Sequence, residues 1–120
     1  MTNNIYQKGL HSIFTLYTDS MELLVDMTQF VNFTNKLIEK YQMTVVGSAT
    51  HSFEGGGYTC VFASSESHIS CHSWPEFNLI TMDIFLCNYS RNNNDAVKQI
   101  TQEYSEYFKA VSADNFYLER

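Results

Sequence analysis

SHISCHSWPEFNLITMDIFLC, residues 67–87, contains the pattern on which the fold prediction depends. Within it, runs 67–72 and 79–87 are short and rich in β-branched and aromatic residues, which is typical of strands. Pro75 lies between them in a segment of turn formers. The stretch therefore predicts two strands joined by a turn.

Segments on both sides extend this pattern. Further strand-like runs are 10–17, 43–50, 58–63 and 114–118. Two segments repeat apolar residues at helical spacing instead: 20–41, which follows a capping-box pattern of Asp19 and Glu22, and about 95–111, with Asn93 or Asn94 as its cap. The order predicts an α+β fold, a two-layer sandwich with two main helices on one face of a largely antiparallel sheet.

Length and composition indicate one domain, residues 1–120, with enough apolar material for a core. The chain has 120 residues, of which 44% are hydrophobic and 17% charged. Its nine Phe, eight Tyr and one Trp are many for this length. Because the predicted helices cover only one face of the sheet, the other face is a candidate surface for a homodimer.

The charge balance excludes some partners. Seven Lys and Arg against thirteen Asp and Glu give a formal charge of −6, and the cations are not clustered, which argues against nucleic-acid binding. No window reaches the ~20 apolar residues of a membrane span, and the opening MTNNIYQKG lacks a signal-peptide pattern. We therefore expect a cytoplasmic protein that binds a small molecule.

The cysteines do not predict a metal site. Cys60, Cys71 and Cys87 lack metal-finger spacing and should remain thiols, the first two as small buried packing residues. A zinc site would need His68, His72 and a third donor, but alternation along a strand turns Cys71 to the opposite face. We expect no metal.

Residues 66–87 also carry a specific motif. Glu-Ser-His-Ile-Ser-x-His-x-Trp-Pro-Glu, followed by Asp-Ile-Phe-x-Cys, resembles the self-processing segment of the prokaryotic S-adenosylmethionine decarboxylases. These are pyruvoyl-dependent lyases of spermidine and polyamine biosynthesis. The similarity extends from about Gly9 to Cys87 and more loosely through the last helix.

The resemblance implies cleavage between Glu66 and Ser67, giving a β chain of 1–66 and an α chain of 67–120. Ser67 would become the pyruvoyl group, which forms a Schiff base with the substrate amine and replaces an external cofactor. His72 matches the processing base, and Cys87 matches the proton donor in turnover.

The chemistry of these residue types is consistent with those roles. A serine hydroxyl can attack the preceding carbonyl and convert the amide into an ester. Removal of the Ser67 α-proton by a neutral base then expels the Glu66 carboxylate by β-elimination. The dehydroalanine that remains hydrolyses to the pyruvoyl group.

Substrate-binding residues also follow from the resemblance. Glu76 matches a substrate-contacting glutamate, Phe53 an aromatic that stacks on adenine, and Thr59 a serine near the active site. Trp74 is either a pocket-lining residue or a packing anchor at the strand end. Glu54 adds a carboxylate beside Phe53 that could attract a cation.

Several positions depart from the family pattern. The loop 54–57 reads Glu-Gly-Gly-Gly, a hairpin or a close approach to ligand, where the family usually has a proline and one glycine. Asn88 replaces a usual glycine, and Leu10 replaces a common arginine. S-adenosylmethionine is the first choice of substrate, L-arginine or L-ornithine the second. A non-catalytic regulatory paralogue is a further alternative.

Overall fold

The structure, a computed structural model, describes residues 5–120. In chain order its elements are β1 (Leu10–Tyr17), α1 (Met21–Val25), α2 (Met27–Lys40), β2 (Val45–Ser52), β3 (Tyr58–Ser64), β4 (His68–Trp74), a 3-10 turn (Pro75–Phe77), β5 (Leu79–Leu86), α3 (Asn94–Tyr107) and β6 (Ser112–Glu119). Within the described residues, six strands form one sheet in the order β2-β3-β4-β5-β1-β6, and every neighbouring pair is antiparallel. This confirms the predicted α+β fold.

The helices and the sheet share one core. Phe30 of α2 lies 5.3 Å from Tyr58 of β3 and 5.6 Å from Tyr104 of α3, measured between ring centroids. Both tyrosine hydroxyls have partners: Tyr58 donates to Leu23 O at 2.9 Å, and Tyr104 lies 2.7 Å from Thr34 Oγ1. Because a buried hydroxyl is costly without a hydrogen bond, these contacts allow large tyrosines to fill the core.

The prediction of one helix over 20–41 is wrong, because the helix breaks at Asp26. Asp26 leaves the helical conformation at φ −91° and ψ 86°, and its carboxylate caps α2 by accepting from Gln29 N. The carbonyl of Leu24 accepts from Ser73 Oγ, as that of Leu23 does from Tyr58. Side chains of the sheet thus satisfy carbonyls that a continuous helix would have satisfied internally.

The expected capping box is not formed either. Ser20, not Asp19, occupies the cap position of α1 and makes no side-chain capping bond. The backbone N–H of Ser20 instead donates to Thr18 Oγ1 at 3.0 Å. The side chain of Thr18 therefore orders the entry into α1.

The last helix is shorter than predicted. It ends at Tyr107, and Lys109 takes a left-handed conformation at φ 52°. Val111 N then donates to Tyr17 O at 2.8 Å, which starts the pairing of β6 with β1. This bond brings the chain to the edge of the sheet. There β6 is eight residues long, whereas five were predicted.

The second face of the sheet is left open by the helices. Ile13 and Val61 are exposed and alternate with buried neighbours. Phe116 and Leu118, on the exposed edge strand β6, pair with Ile13 and His11 and so extend the same face. Among the described residues, no helix is both long and apolar enough to cross a bilayer.

Candidate active site

Strand β4 separates the candidate site from the core by simple alternation. Ile69, Cys71 and Ser73 are buried, whereas His72 and Trp74 are exposed on the open face. Cys71 pairs across the sheet with Cys60, and both are buried free thiols, as expected for packing residues. Burial raises the pKa of the Cys71 thiol, which makes it a poor nucleophile.

The predicted cleavage point lies at the beginning of β4, beside the end of β5. Cys87 N donates to Ser67 Oγ at 3.1 Å, and Cys87 Sγ donates to Glu66 Oε2 at 3.3 Å. The hydrogen bond from Ser64 N to Ser67 O, 2.9 Å long, closes the turn from β3. Antiparallel pairing of β4 and β5 is what places these two strand ends together. We call Glu66, Ser67 and Cys87 the cleavage cluster.

A cleft of about 290 Å³ opens beside the cleavage cluster. Asn93 fixes its rim by donating to Cys87 O at 2.8 Å, and Asn88 Oδ1 accepts from Asn93 N at 2.7 Å. The other end of the Asn88 amide donates to Lys8 O at 2.8 Å. Asn88, a departure from the family pattern, therefore anchors the loop that follows Cys87.

His72 lies near the opposite end of β4. Its Nδ1 atom is 2.8 Å from Thr59 Oγ1, the residue opposite it on β3. The Nε1 atom of Trp74 donates to Thr81 Oγ1 at 3.4 Å. Trp74 is 42% exposed, which favours the pocket-lining interpretation over a buried packing anchor.

A larger cleft, about 590 Å³, lies at this end, and we call it the His72 cleft. Its lining includes every predicted substrate-binding residue: Phe53, Glu54, Thr59, Trp74 and Glu76. Met21, at the start of α1, also lines it. Sequence reasoning missed Met21, because the tertiary contact that brings α1 to the sheet has no local pattern.

The glycines shape the wall of the His72 cleft as a β2–β3 hairpin. Gly55 and Gly56 have φ of 105° and 110°, which side-chain-bearing residues rarely adopt. A Cβ on Gly56 would also lie 2.8 Å from Val25 Cγ1. The hairpin thus requires glycine at Gly56 for both conformation and space.

The cleavage cluster and the His72 cleft are far apart within one chain. Ser67 and His72 are five residues apart along an extended segment, which corresponds to about 16 Å at ~3.3 Å per residue. Proton transfer needs approach to about 3 Å. One protomer therefore holds two incomplete halves of the predicted site.

A further polar cluster on the open face was not predicted. His11 Nε2 and His68 Nε2 lie 2.8 and 3.0 Å from Asp83 Oδ2, and the Ser70 hydroxyl donates to Asp83 Oδ1. Burial alone would raise the pKa of Asp83, but the hydrogen bonds from Ser70, His11 and His68 outweigh it and lower the pKa. The four residues form the Asp83 network, in which three hydrogen bonds and the nearby charge of His68 favour the ionised carboxylate.

Three members of the Asp83 network, His11, His68 and Asp83, have the donor types of a metal site, with ligand atoms within 4.8 Å of one another. However, Arg120 Nη1 lies 3.4 Å from His11 Nδ1, and a guanidinium can only donate. His11 Nδ1 must then accept, so the ring proton lies on Nε2 and faces Asp83. A histidine that ligates a metal usually donates from its other ring nitrogen to an acceptor. His11 instead accepts at Nδ1 and carries its proton on the nitrogen that faces Asp83, so this arrangement favours a hydrogen-bonded network over a metal site.

The chain is similar in sequence to known proteins. The chain is 31% identical to the S-adenosylmethionine decarboxylase proenzyme of Archaeoglobus fulgidus over 112 residues, 93% of this chain and 96% of that protein. It is 32% identical to the S-adenosylmethionine decarboxylase proenzyme of Methanococcus maripaludis strain S2 over 94 residues, 78% of this chain and 77% of that protein.

The fold is also shared with a solved structure. The crystal structure of the adenosylmethionine decarboxylase from Aquifex aeolicus superposes with a TM-score of 0.84 at 22% identity, covering 97% of this chain and 92% of that one. The family model described as S-adenosylmethionine decarboxylase matches residues 10–120. The chain therefore belongs to the S-adenosylmethionine decarboxylase family, whose members are carboxy-lyases.

Proposed function

We propose that this chain cleaves itself between Glu66 and Ser67 and then decarboxylates S-adenosylmethionine in polyamine biosynthesis. The observation that carries the proposal is the cleavage cluster, in which Cys87 contacts both residues of the scissile bond. The names of the relatives support the same substrate, and "proenzyme" in those names supports a self-processing precursor.

The residues of the cleavage cluster fit a serine-derived pyruvoyl group. The Cys87 N–H that donates to Ser67 Oγ at 3.1 Å places this hydroxyl beside a fixed donor, and the adjacent cleft leaves room for a substrate. A pyruvoyl group at this position supplies the ketone that takes up the electrons released with carbon dioxide. Cys87, next to it, is placed to deliver the proton that replaces the lost carboxylate.

The lining of the His72 cleft suits an adenosyl cation. Phe53 and Trp74 provide aromatic faces for adenine and for the positive sulfonium, and Glu54 and Glu76 provide carboxylates. Two aromatic rings around a cleft of about 590 Å³ favour a nucleoside over free arginine or ornithine.

A homodimer would join the two halves. If the open faces of two protomers pack with their β4 strands antiparallel, the Ser67 end of one lies over the His72 end of the other. The exposed apolar residues Ile13, Val61 and Phe116 supply a surface for this contact. Each complete site would then take the cleavage cluster from one protomer and the His72 cleft from its partner.

Intact mass and carbon dioxide release test the proposal. Wild type should separate into chains 1–66 and 67–120, whereas Ser67→Ala should remain whole at about 13.9 kDa. The processed protein should release carbon dioxide from carboxyl-labelled S-adenosylmethionine and not from arginine or ornithine. If carbon dioxide is released only from arginine or ornithine, that amino acid replaces S-adenosylmethionine as the proposed substrate. A wild type that stays uncleaved and releases no carbon dioxide would favour a non-catalytic paralogue.

A further inference from the structure

The side chain of Glu66 makes a contact that self-cleavage does not use. The carbonyl of Glu66 is the group attacked during processing, yet its carboxylate reaches across to Cys87, where Oε2 accepts from Sγ at 3.3 Å. Glu66 is exposed and Cys87 is partly buried, and their hydrogen bond lies on the solvent-exposed side of the cleavage cluster. We propose that the Glu66 carboxylate is a positioning residue that holds the Cys87 sulfur beside residue 67 for protonation of the product.

Before cleavage two contacts determine where the sulfur lies: the Cys87 backbone N–H donates to Ser67 Oγ, and the thiol donates to the Glu66 carboxylate. Elimination carries Ser67 Oγ away with the Glu66 main-chain carboxyl group, so in the processed enzyme the Glu66 side chain is the contact of the two that remains to select the Cys87 rotamer. A cysteine side chain can occupy three staggered rotamers, and a hydrogen bond to a carboxylate stabilises one of them more strongly than a neutral acceptor would. The S–H bond can still rotate about Cβ–Sγ, so the proton can turn to the substrate while the sulfur stays in place.

Correct placement matters because the electron pair left by carbon dioxide can be protonated at two carbons. A proton delivered to the former α-carbon of the substrate gives the decarboxylated product and regenerates the enzyme. A proton delivered to the carbon of residue 67 gives a different outcome. Hydrolysis by water then leaves an alanine at position 67, which keeps the substrate nitrogen, and the rest of the decarboxylated substrate departs as an aldehyde. A misplaced sulfur should therefore lower kcat and increase this inactivation.

The inference rests on the proposed function, but its first test does not need turnover. In the uncleaved Ser67→Ala chain, the S–H stretching band of Cys87 can be isolated as the infrared difference from Ser67→Ala/Cys87→Ala. Hydrogen bonding lowers the S–H stretching frequency, so the band should move upward for Glu66→Gln and further for Glu66→Ala. Glu39→Gln, an exposed carboxylate change on α2, should leave it in place.

The second test uses processed enzyme with the native Ser67. All Glu66 variants retain the attacked carbonyl and should cleave. Glu66→Ala should lower kcat about tenfold with KM changed less than about twofold, because misplacing a reacting group costs rate and not ground-state binding. Glu66→Gln, which keeps an oxygen acceptor, should restore part of kcat. The fraction of α chains with a free amino terminus, measured by terminal sequencing after turnover, should rise from wild type to Glu66→Gln and again to Glu66→Ala.

The outcomes separate the two proposals. An active wild type whose S–H band and kcat are both unchanged by Glu66→Ala overturns the positioning role and leaves the proposed function intact. A shifted band with unchanged kcat and unchanged inactivation also overturns it, because the contact would then exist without a role in turnover. A wild type that neither cleaves nor releases carbon dioxide refutes the proposed function, and the positioning role with it.

Discussion

Pairing two inactive variants tests whether each site is shared between protomers. Ser67→Ala lacks the serine of the cleavage cluster, and His72→Ala lacks the proposed processing base at the other end of β4. Each variant alone should fail to process efficiently. When the two chains are co-expressed with different tags, a mixed dimer should contain one complete site, built from Ser67 of one chain and His72 of the other.

The structure sets the size of the effect. The Cα atoms of Ser67 and His72 are about 16 Å apart along the strand, so even a fully extended imidazole of the same protomer stays well beyond the ~3 Å that proton transfer needs. Random pairing of equal amounts makes about half of the dimers mixed, each with one complete site of two. About half of the His72→Ala chains should therefore be cleaved, and decarboxylation per chain should reach about a quarter of wild type.

Intact mass of the tagged His72→Ala chain reports the cleavage directly. The matched control co-expresses a Ser67→Ala chain with a Cys87→Ala chain. Both changes lie in the cleavage cluster, so no mixed dimer of these two chains contains a complete cluster, and none should release carbon dioxide. Mixed dimers that form but yield no cleaved His72→Ala chain would refute a shared site. Efficient cleavage of His72→Ala alone would instead remove His72 from processing.

Three further predictions concern the framework of the site. The pKa of Asp83 is lowered in the folded state, so the stability that its carboxylate contributes is present above its ordinary pKa of 3.8 and is lost as pH falls through the lowered value. The difference in free energy of unfolding between wild type and Asp83→Asn, measured in urea, should therefore be larger at pH 7 than at about pH 2. An equal difference at both pH values would contradict this role. Phe30→Ala should lower the free energy of unfolding by about 3–5 kcal/mol, because the removed ring is fully buried, whereas Phe77→Ala, at an exposed ring, should change it by less than about 0.5 kcal/mol; similar midpoints for the two in urea would contradict the core assignment. Gly55→Ala should cost about 1 kcal/mol of backbone strain, because the added Cβ meets open space. Gly56→Ala should cost more and raise KM, because its Cβ would lie 2.8 Å from a side chain. Equal unfolding midpoints and KM values for the two variants would show that this contact has no effect.

Local pattern was sufficient for most of the fold. Alternation along β4 correctly predicted that Cys71 points to the face opposite His68 and His72, because period two is a property of any extended strand. The motif from Glu66 to Glu76 also identified the family, which the match over residues 10–120 confirms. The predicted substrate-binding residues do line one cleft, although their roles remain predictions.

The sequence did not predict the break at Asp26 or the role of Met21. The residues from 20 to 41 have continuous helical periodicity, and nothing local reveals that Tyr58 and Ser73 hydrogen-bond to carbonyls of α1. Those bonds come from strands more than thirty residues away. Long-range hydrogen bonds of this kind override local propensity.

The sequence alone determined the chemistry available to this protein: a serine after a glutamate, a histidine and a cysteine, at the spacing of one family. Only the tertiary structure decided which of these groups can meet. Antiparallel pairing of β4 with β5 joins Cys87 to Ser67 although they are 20 residues apart, while the stiffness of an extended strand keeps His72 away from Ser67 although it is close in sequence. Proximity along a strand and proximity in space are different quantities, because a strand advances about 3.3 Å with every residue whereas neighbouring strands lie only about 4.8 Å apart.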